Sequence, residues 1–285
     1  NPFFGGIRLW ENGKSGLRNL SDVPTLVASV SPRGDLVAAV QLEQSAAQTL
    51  AALEVRDVRS GDTVWRTPLE PALDAGTPGF SSDGRWLVFA ASSVPEARCE
   101  PLLREVLIGD SVNALPVARP FVHDFLTGET WCPSITPTDG TVIVDFGIAA
   151  VSGDAAAFAF TSGETVAGSG GTRILGAGLV MVSLATGEVL GTLASADLSS
   201  CCGGPPAIAG RTLVWGPYRK AGLDYFDPFP DALPATVVTP GRFAPGTAKY
   251  FGPALSGDSR SLAYGVEGHD IQTGAPLGDL YVFYR

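Results

Sequence analysis

The stretch GFSSDGRWLVFA (79–90) decides the fold of this chain. A short apolar strand ends at a serine, a Gly/Asp turn follows, and a second apolar strand begins directly after it. Because one such unit cannot bury its apolar face alone, repetition of the phrase predicts an array of small sheets. Variant copies of the phrase are SVSPRGDLVAAV (29–40), AVSGDAAAFAF (150–160), AIAGRTLVWG (207–216) and ALSGDSRSLAYG (254–265).

The spacing of this phrase predicts the number of sheets. The residues before the first marker and after the last one amount to about one further repeat. We therefore predict an all-β propeller of five blades in one domain (1–285), with the last blade closed by both termini. In that arrangement the hairpin GIRLWENGKSGLRNL (6–20) joins the sheet formed by the last strands. Six blades are the alternative, if TPTDGTVIVDFG (136–147) begins its own sheet. The markers are Ser31, Ser81, Ser152, Ala209 and Ser256, with a mean period of about 56 residues.

A second phrase lies downstream in the repeats, where a strand leads through an Asp/Ser-x-x-Thr/Ser-Gly turn into another strand. Glycine supplies the positive φ that such turns need, so two phrases per repeat predict four strands per blade. The best helical candidate, QLEQSAAQTLAALEV (41–55), runs into a strand pattern and is expected to be a loop or one helical turn. Copies of the second phrase are LEVRDVRSGDTVWRTPLE (53–70), FVHDFLTGETWCPS (121–134) and LVMVSLATGEVLGTLA (179–194).

The repeat punctuation resembles known propeller families. FSSDGRWLVFA (80–90) is similar to the SPDG phrase of TolB-type and WD-like repeats, and VRDVRSGDTVWRTPL (55–69) is similar to a phrase of quinoprotein-type propellers. The resemblance covers most of the chain. It implies propeller architecture and specifies no activity.

Composition excludes some classes of partner. The chain has 285 residues, a net charge of −10 and 45% hydrophobic residues, so it can bury a core but repels phosphate backbones and anionic lipid. No apolar stretch reaches the length of a membrane helix. A start at Asn1 without an initiator Met fits a processed secreted protein and a trimmed chain equally. The usage of cysteine suggests an exported protein, periplasmic or secreted.

Four cysteines permit two disulfides, with the pairing left open by the sequence. Cys201 and Cys202 are adjacent, and they either close a strained ring with each other, form a rigid turn or are bridged elsewhere. If they do not bridge elsewhere, Cys99 pairs with Cys132 across one blade, which ties a long insertion to the strand beside Trp131.

No catalytic signature is present. The two histidines, His123 and His269, are each followed by Asp and are expected to be structural or exposed, and neither belongs to a cluster with metal-ligand spacing. We predict no cofactor, no metal site and no catalytic residue. The turn residues Asp83, Asp154 and Asp258 have a structural explanation in side-chain to backbone hydrogen bonds. The carboxylates that a channel-based glycosidase would use are sought among Asp124, Asp145, Asp224 and Asp227.

Function is expected in the segments that interrupt the repeats, namely 96–118, 161–178, 199–206 and 217–241. The last of these carries LDYFDPFPDALP (223–234), whose aromatic residues form a candidate partner-contact loop. We predict a non-enzymatic subunit that binds another protein within a larger assembly. The alternatives are a propeller lactonase, lyase or glycosidase, and a carbohydrate-binding lectin with one aromatic site per blade. The residues of the candidate partner-contact loop are Tyr218, Tyr225, Phe226 and Phe229.

Overall fold

The computed structural model describes residues 5–10, 16–44, 49–69, 77–100, 102–108, 111–135, 142–166, 171–195, 207–209, 212–215, 223–226, 235–237, 249–255 and 261–284. Across these ranges the regular structure is entirely β, and no helix there is long and apolar enough to cross a membrane. The chain divides into two compact units. The first consists of residues 1–133, 145–148 and 165–172, and the second of 134–144, 149–164 and 173–285.

Antiparallel sheets repeat along the chain, and neighbouring strands follow chain order. The first sheet contains β3 (Thr25–Val30), β4 (Leu36–Gln44), β5 (Thr49–Asp57) and β6 (Thr63–Leu69). The second contains β7 (Gly79–Phe80), β8 (Trp86–Ala91), β11 (Arg119–Asp124) and β12 (Thr130–Trp131). The third contains β13 (Val142–Val151), β14 (Ala155–Val166), β15 (Gly171–Ser183) and β16 (Val189–Ser195). The fourth contains β17 (Ala207–Ala209), β18 (Thr212–Trp215), β19 (Leu223–Phe226) and β20 (Ala235–Val237), and the three-stranded fifth contains β21 (Lys249–Leu255), β22 (Ser261–His269) and β23 (Pro276–Tyr284).

Two hairpins complete the strands. β1 (Ile7–Trp10) pairs with β2 (Leu17–Ser21), and β9 (Leu102–Ile108) pairs with β10 (Ser111–Val117). Along the chain the second hairpin follows β8 and precedes β11, the second and third strands of the second sheet. Ile7 and Leu9 pack with Leu20 against Val37 and Val58 of the first unit. The sequence-based expectation that the N-terminal hairpin joins the last sheet is not confirmed, because β1 and β2 form a two-stranded sheet separate from the sheet of β21, β22 and β23.

The serine of the first phrase is a buried turn anchor. In the second sheet the Ser81 hydroxyl accepts the Trp86 N–H at 2.8 Å and donates to the Asp83 carboxylate at 2.6 Å, while Ser81 is 0% exposed. Ser31 and Ser152 play the same part in the first and third sheets. We call this element the serine turn. Burying a hydroxyl is favourable only when it is hydrogen-bonded, which explains why serine ends each of these first strands.

The second phrase also has one geometry in every sheet where it is described. Asp124 accepts the Leu126 N–H at 2.9 Å, and Gly128 with φ of +76° returns its N–H to the Asp124 carbonyl at 2.8 Å. A left-handed residue is needed there, and glycine adopts it without strain. We call this element the glycine turn. It recurs at 57–62, 183–188 and 270–275 with positive φ at Gly61, Gly187 and Gly274.

The two turns of a sheet are hydrogen-bonded to each other. The Phe125 N–H of the glycine turn donates to the Arg85 carbonyl of the serine turn at 3.0 Å. The pairs Val58–Asp35 and Leu184–Asp154 repeat this bond in the first and third sheets, at 2.7 and 2.8 Å. Both turns therefore lie at the same end of each of these sheets.

The core of the first unit lies between its two four-stranded sheets. All six residues of β8 are buried, so this strand is covered on both faces, as its continuous apolar run suggests. Phe89 stacks on Phe121 with ring centroids 5.6 Å apart, and Trp65 of the first sheet packs 5.7 Å from Phe89. Aromatic and aliphatic side chains of both sheets thus form one cluster with Leu53 and Leu87.

The second unit has its own apolar cluster. Ala155, Ala157, Leu179 and Met181 of the third sheet are buried, and Ile208 of β17 packs against them. This cluster joins the third and fourth sheets.

Two expectations about local structure are changed. Residues 41–44 and 49–55, expected as a loop or helical turn, belong to the paired strands β4 and β5, so that expectation was wrong. Burial of Ala51, Leu53 and Val55 outweighs the helical preference of Gln and Ala. The strand Val142–Val151 does not belong to an additional, separate sheet. It is the first strand of the same sheet that contains the Ser152 turn.

Candidate functional site

An open cleft of about 470 Å³ lies in the first unit beside the Cys99–Cys132 disulfide. One side is the segment that follows β8, and the other is the glycine turn with β12. Charged, hydroxyl and aromatic groups share the wall, which distinguishes the cleft from the apolar core beneath it. Its lining residues are Glu96, Arg98, Cys99, Gly128, Glu129, Thr130, Trp131 and Cys132.

Alternating burial explains how the first side is built. Val94 and Ala97 are buried in the core of the unit, whereas Glu96 and Arg98 are exposed. The Ala97 N–H donates to the Val94 carbonyl at 3.1 Å, which closes a tight turn. The core contacts therefore fix the segment and leave its charged side chains in the cleft.

A buried hydroxyl orients the Glu96 carboxylate. Thr67 of β6 is 0% exposed, and its Oγ1 donates to Oε2 of Glu96 at 2.8 Å. A hydrogen bond to a charged oxygen restricts the rotamers of an otherwise long, mobile side chain. One carboxylate of the cleft is thus positioned before any ligand arrives.

Two clamps hold the sides of the cleft together. The first is the disulfide, which spans 33 residues of sequence. The second is Arg119, whose Nη1 donates to the Glu100 carbonyl and whose Nη2 donates to the Pro133 carbonyl at 3.3 Å. Those carbonyls belong to the residues that directly follow the two cysteines. Burial lowers the pKa of Arg119 and the nearby Glu100 charge raises it, with burial the larger effect.

His123 lies under the cleft rather than in it. It is 2% exposed, stacks on Trp65 with a centroid distance of 4.1 Å and meets the edge of Phe125 at 4.8 Å. Burial lowers the pKa of His123 to about 4, and the charges of Asp124 and Glu96 oppose this only in part. Its Nδ1 lies 2.9 Å from Oγ1 of Thr130, the residue opposite it in the β11–β12 pair. A neutral, enclosed imidazole therefore supports a residue of the cleft wall.

Asp124 is a structural carboxylate. Nε and Nη2 of Arg85 donate to its two oxygens at 3.0 and 2.8 Å, and the Arg85 guanidinium also lies 4.3 Å from the centre of the Trp86 ring. The hydrogen bond from Arg85 lowers the pKa of Asp124, in the direction expected for a charge-paired turn anchor. The His123–Asp124 sequence thus forms no acid–base pair, because each side chain has a different partner.

The other sequence candidates are distributed as follows. His269 is exposed at the end of β22. Tyr225 and Phe226 of the expected contact loop lie in strand β19, which pairs with β18 and β20. Asp145 and Asp224 lie in β13 and β19. Tyr218, Phe229, Asp227, Asp258, Cys201 and Cys202 lie outside the described residues.

Glu96, Arg98 and Glu129 were not predicted as site residues. The sequence did single out the insertion 96–118 and the proximity of Trp131 to a cysteine, which is the signal that could have found them. Among the described residues, no group of three His, Cys, Asp or Glu side chains could hold a metal ion.

No protein-family model and no curated protein sequence matches this chain. Among solved structures, acylaminoacyl peptidase is similar with a TM-score of 0.53 and 11% identity, over 91% of this chain and 38% of that chain. Hydrazine synthase of Kuenenia stuttgartiensis gives 0.48 and 13%, over 90% and 67%. The mitotic checkpoint complex gives 0.45 and 13%, over 90% and 62%. The chain spans little more than a third of the peptidase, and this likeness concerns the fold alone.

Proposed function

We propose that this chain is an exported five-bladed β-propeller that binds another protein through the cleft beside Cys99–Cys132. The repeated sheets support the propeller, and the first, second, third and fifth of them contain a serine turn, a glycine turn or both. The disulfide supports an oxidising compartment. In this arrangement the last blade is closed by strands of both termini and the whole chain is one domain.

The observation that carries the binding role is the cleft itself. Its walls are fixed by the disulfide, by Arg119 and by core contacts of Val94 and Ala97, so little conformational entropy is lost when a partner binds. Rigid loops on a regular scaffold are a common location for recognition.

The described chemistry favours binding over catalysis. Asp57, Asp124 and Asp270 accept backbone N–H groups of their own glycine turns. His123 is enclosed, so a substrate in the cleft would not reach its ring. A lectin with one exposed ring per blade is not favoured either, because Trp86 is buried and Trp65 is stacked on His123.

Photo-crosslinking tests the proposal without altering any cleft side chain. Leu126 is 74% exposed on the glycine turn that carries Glu129, and Ala185 is the exposed equivalent on the glycine turn of the third sheet. We would place p-benzoylphenylalanine at either position in the native host and irradiate intact cells. The proposal expects a discrete crosslink to another protein at position 126 and none at 185. Equal crosslinks at both positions, or none at 126, would contradict it.

A further inference from the structure

We infer that the cleft binds a basic side chain, lysine or arginine, of an incoming polypeptide. This inference rests on the proposed function and specifies the chemistry of the partner at the same site. It is carried by the cleft, its fixed walls, its aromatic side and the balance of its charges.

The charges of the wall favour a cation. Glu96 and Glu129 both line the cleft, and Arg98 is the single basic residue among its lining side chains. The chain as a whole carries −10, so the long-range field attracts basic partners to this surface. A cation between the carboxylates lets Arg98 donate to carbonyl groups that flank it on the incoming chain.

The first carboxylate is already oriented. Thr67 holds Oε2 of Glu96 from the buried side, and the backbone of Glu129 is fixed because its carbonyl accepts the Asp124 N–H at 2.9 Å. Pre-positioned acceptors lose less side-chain entropy when a charged donor arrives.

Trp131 supplies an aromatic wall for the same group. Its ring is partly buried on β12 beside Glu129 and Thr130. A guanidinium or ammonium over an indole is stabilised by the ring quadrupole. The same unit already contains this arrangement, because the Arg85 guanidinium lies over Trp86 while Asp124 binds its N–H groups.

Glu129 has a matched control within the chain. It follows Gly128 in one glycine turn, and the exposed Glu188 follows Gly187 in another. Both carboxylates stand at the same turn position, and only Glu129 lines the cleft. Glu129→Gln and Glu188→Gln therefore remove equal charge from equivalent backbone sites.

The experiment uses the full chain and three blocked heptapeptides. The peptides differ only at two interior positions, which are both Lys, both Arg or both Gln. Fluorescence anisotropy of labelled peptides gives the affinity at low and at physiological salt. We expect the Lys and Arg peptides to bind at least about tenfold more tightly than the Gln peptide, with weaker binding as salt rises. Glu129→Gln should weaken binding of the Lys peptide about three- to fivefold, and Glu188→Gln should leave the affinity for this peptide unchanged. Glu96→Gln should act like Glu129→Gln.

Equal affinity for the Gln and Lys peptides, or equal losses in the Glu129 and Glu188 variants, would overturn the inference. Binding of a neutral hexasaccharide without binding of the Lys peptide would overturn it in favour of a glycan. A crosslink at position 126 together with no preference for basic peptides would leave the proposed function intact and reject only the cation. Basic-peptide binding without a protein crosslink would reject the proposed function and keep the cation site.

Discussion

The carboxylate of Asp124 receives both Nε and Nη2 of Arg85, which joins the glycine turn of the second sheet to its serine turn through side chains. The backbone bond from Phe125 to the Arg85 carbonyl runs in parallel. Two independent links therefore connect residues that are about forty positions apart in sequence. The end of the sheet beside the cleft is held by this pair.

Replacing Asp124 by Asn removes the charge from this link. We expect the free energy of unfolding to fall by about 1 to 2 kcal/mol, a modest figure because the Arg85 side chain is 39% exposed. Asp57→Asn is the control, since Asp57 anchors the equivalent turn, is only partly buried and accepts backbone N–H groups of its own turn. It should cost less. Urea denaturation followed by circular dichroism measures both, and an equal loss in the two variants would show that the Arg85 pair contributes nothing.

Ser81→Ala tests the buried serine turn. The substitution leaves the Trp86 N–H without its hydroxyl acceptor in a buried place, so we expect a loss of about 1 to 3 kcal/mol. The neighbouring Ser82 is exposed, and Ser82→Ala should stay within about 0.5 kcal/mol of the parent. Thermal and urea unfolding of the two variants compares them. A stable Ser81→Ala protein would mean that the turn is held by its backbone alone.

Removal of the disulfide should destabilise the first unit. For a loop of 33 residues the chain-entropy relation gives on the order of 3 to 4 kcal/mol for the double substitution Cys99→Ser with Cys132→Ser. Reductant should lower the unfolding temperature of the parent and have a smaller effect on this variant. Cys201→Ser with Cys202→Ser is the comparison. If reductant lowers the unfolding temperature of the parent and of the Cys99/Cys132 variant equally, the stabilising bond lies elsewhere.

His123 predicts a pH dependence of stability. Above pH 6.5 the histidine is neutral in both the folded and the unfolded chain. Between about pH 6.5 and 4 the unfolded chain takes up a proton that the folded chain excludes, so stability falls as the pH falls. The loss is no more than roughly 3 kcal/mol at the acid end. The pKa values of Asp57, Asp83 and Asp124 are also lowered in the folded chain. These carboxylates change the stability only at lower pH, below their ordinary pKa of 3.8.

Urea denaturation at a series of pH values measures this dependence. His123→Gln should flatten the stability profile between pH 6.5 and 4, whereas the exposed His269→Gln should retain it. The slope is compared rather than the absolute stability, because His123→Gln also removes the stacking on Trp65. An unchanged slope in the His123 variant would assign the titration to another group.

The sequence predicted the repeated architecture because its signals are local. Ser81, Asp83 and Gly84 act within one turn, and each residue type matches the hydrogen bond or φ required at its own position. The glycine turns were recognisable for the same reason. The expectation of a loop or one helical turn at 41–55 was wrong, because pairing with neighbouring strands decided the structure there.

The cleft depends on contacts that local patterns do not encode. Thr67 contacts Glu96 only because the segment after β8 returns beside the first sheet. Glu129 lines the same cleft because the disulfide ties that segment to the end of β12. Arg119 closes the same region from a third element. The insertion 96–118 and the cysteine beside Trp131 were the sequence signals that pointed to this place.

The bond between the two turns determines which end of a sheet can carry an insertion. It fixes one end of the first, second and third sheets, so the connection between the second and third strands lies at the other end and is free to change in length. In the first sheet β4 ends at Gln44 and β5 begins at Thr49, and in the third β14 ends at Val166 and β15 begins at Gly171. In the second sheet the connection extends from Ser92 to Ala118 and includes β9 and β10. The loop at that end can therefore be short or long in these three sheets without altering the bond between the two turns at the opposite end.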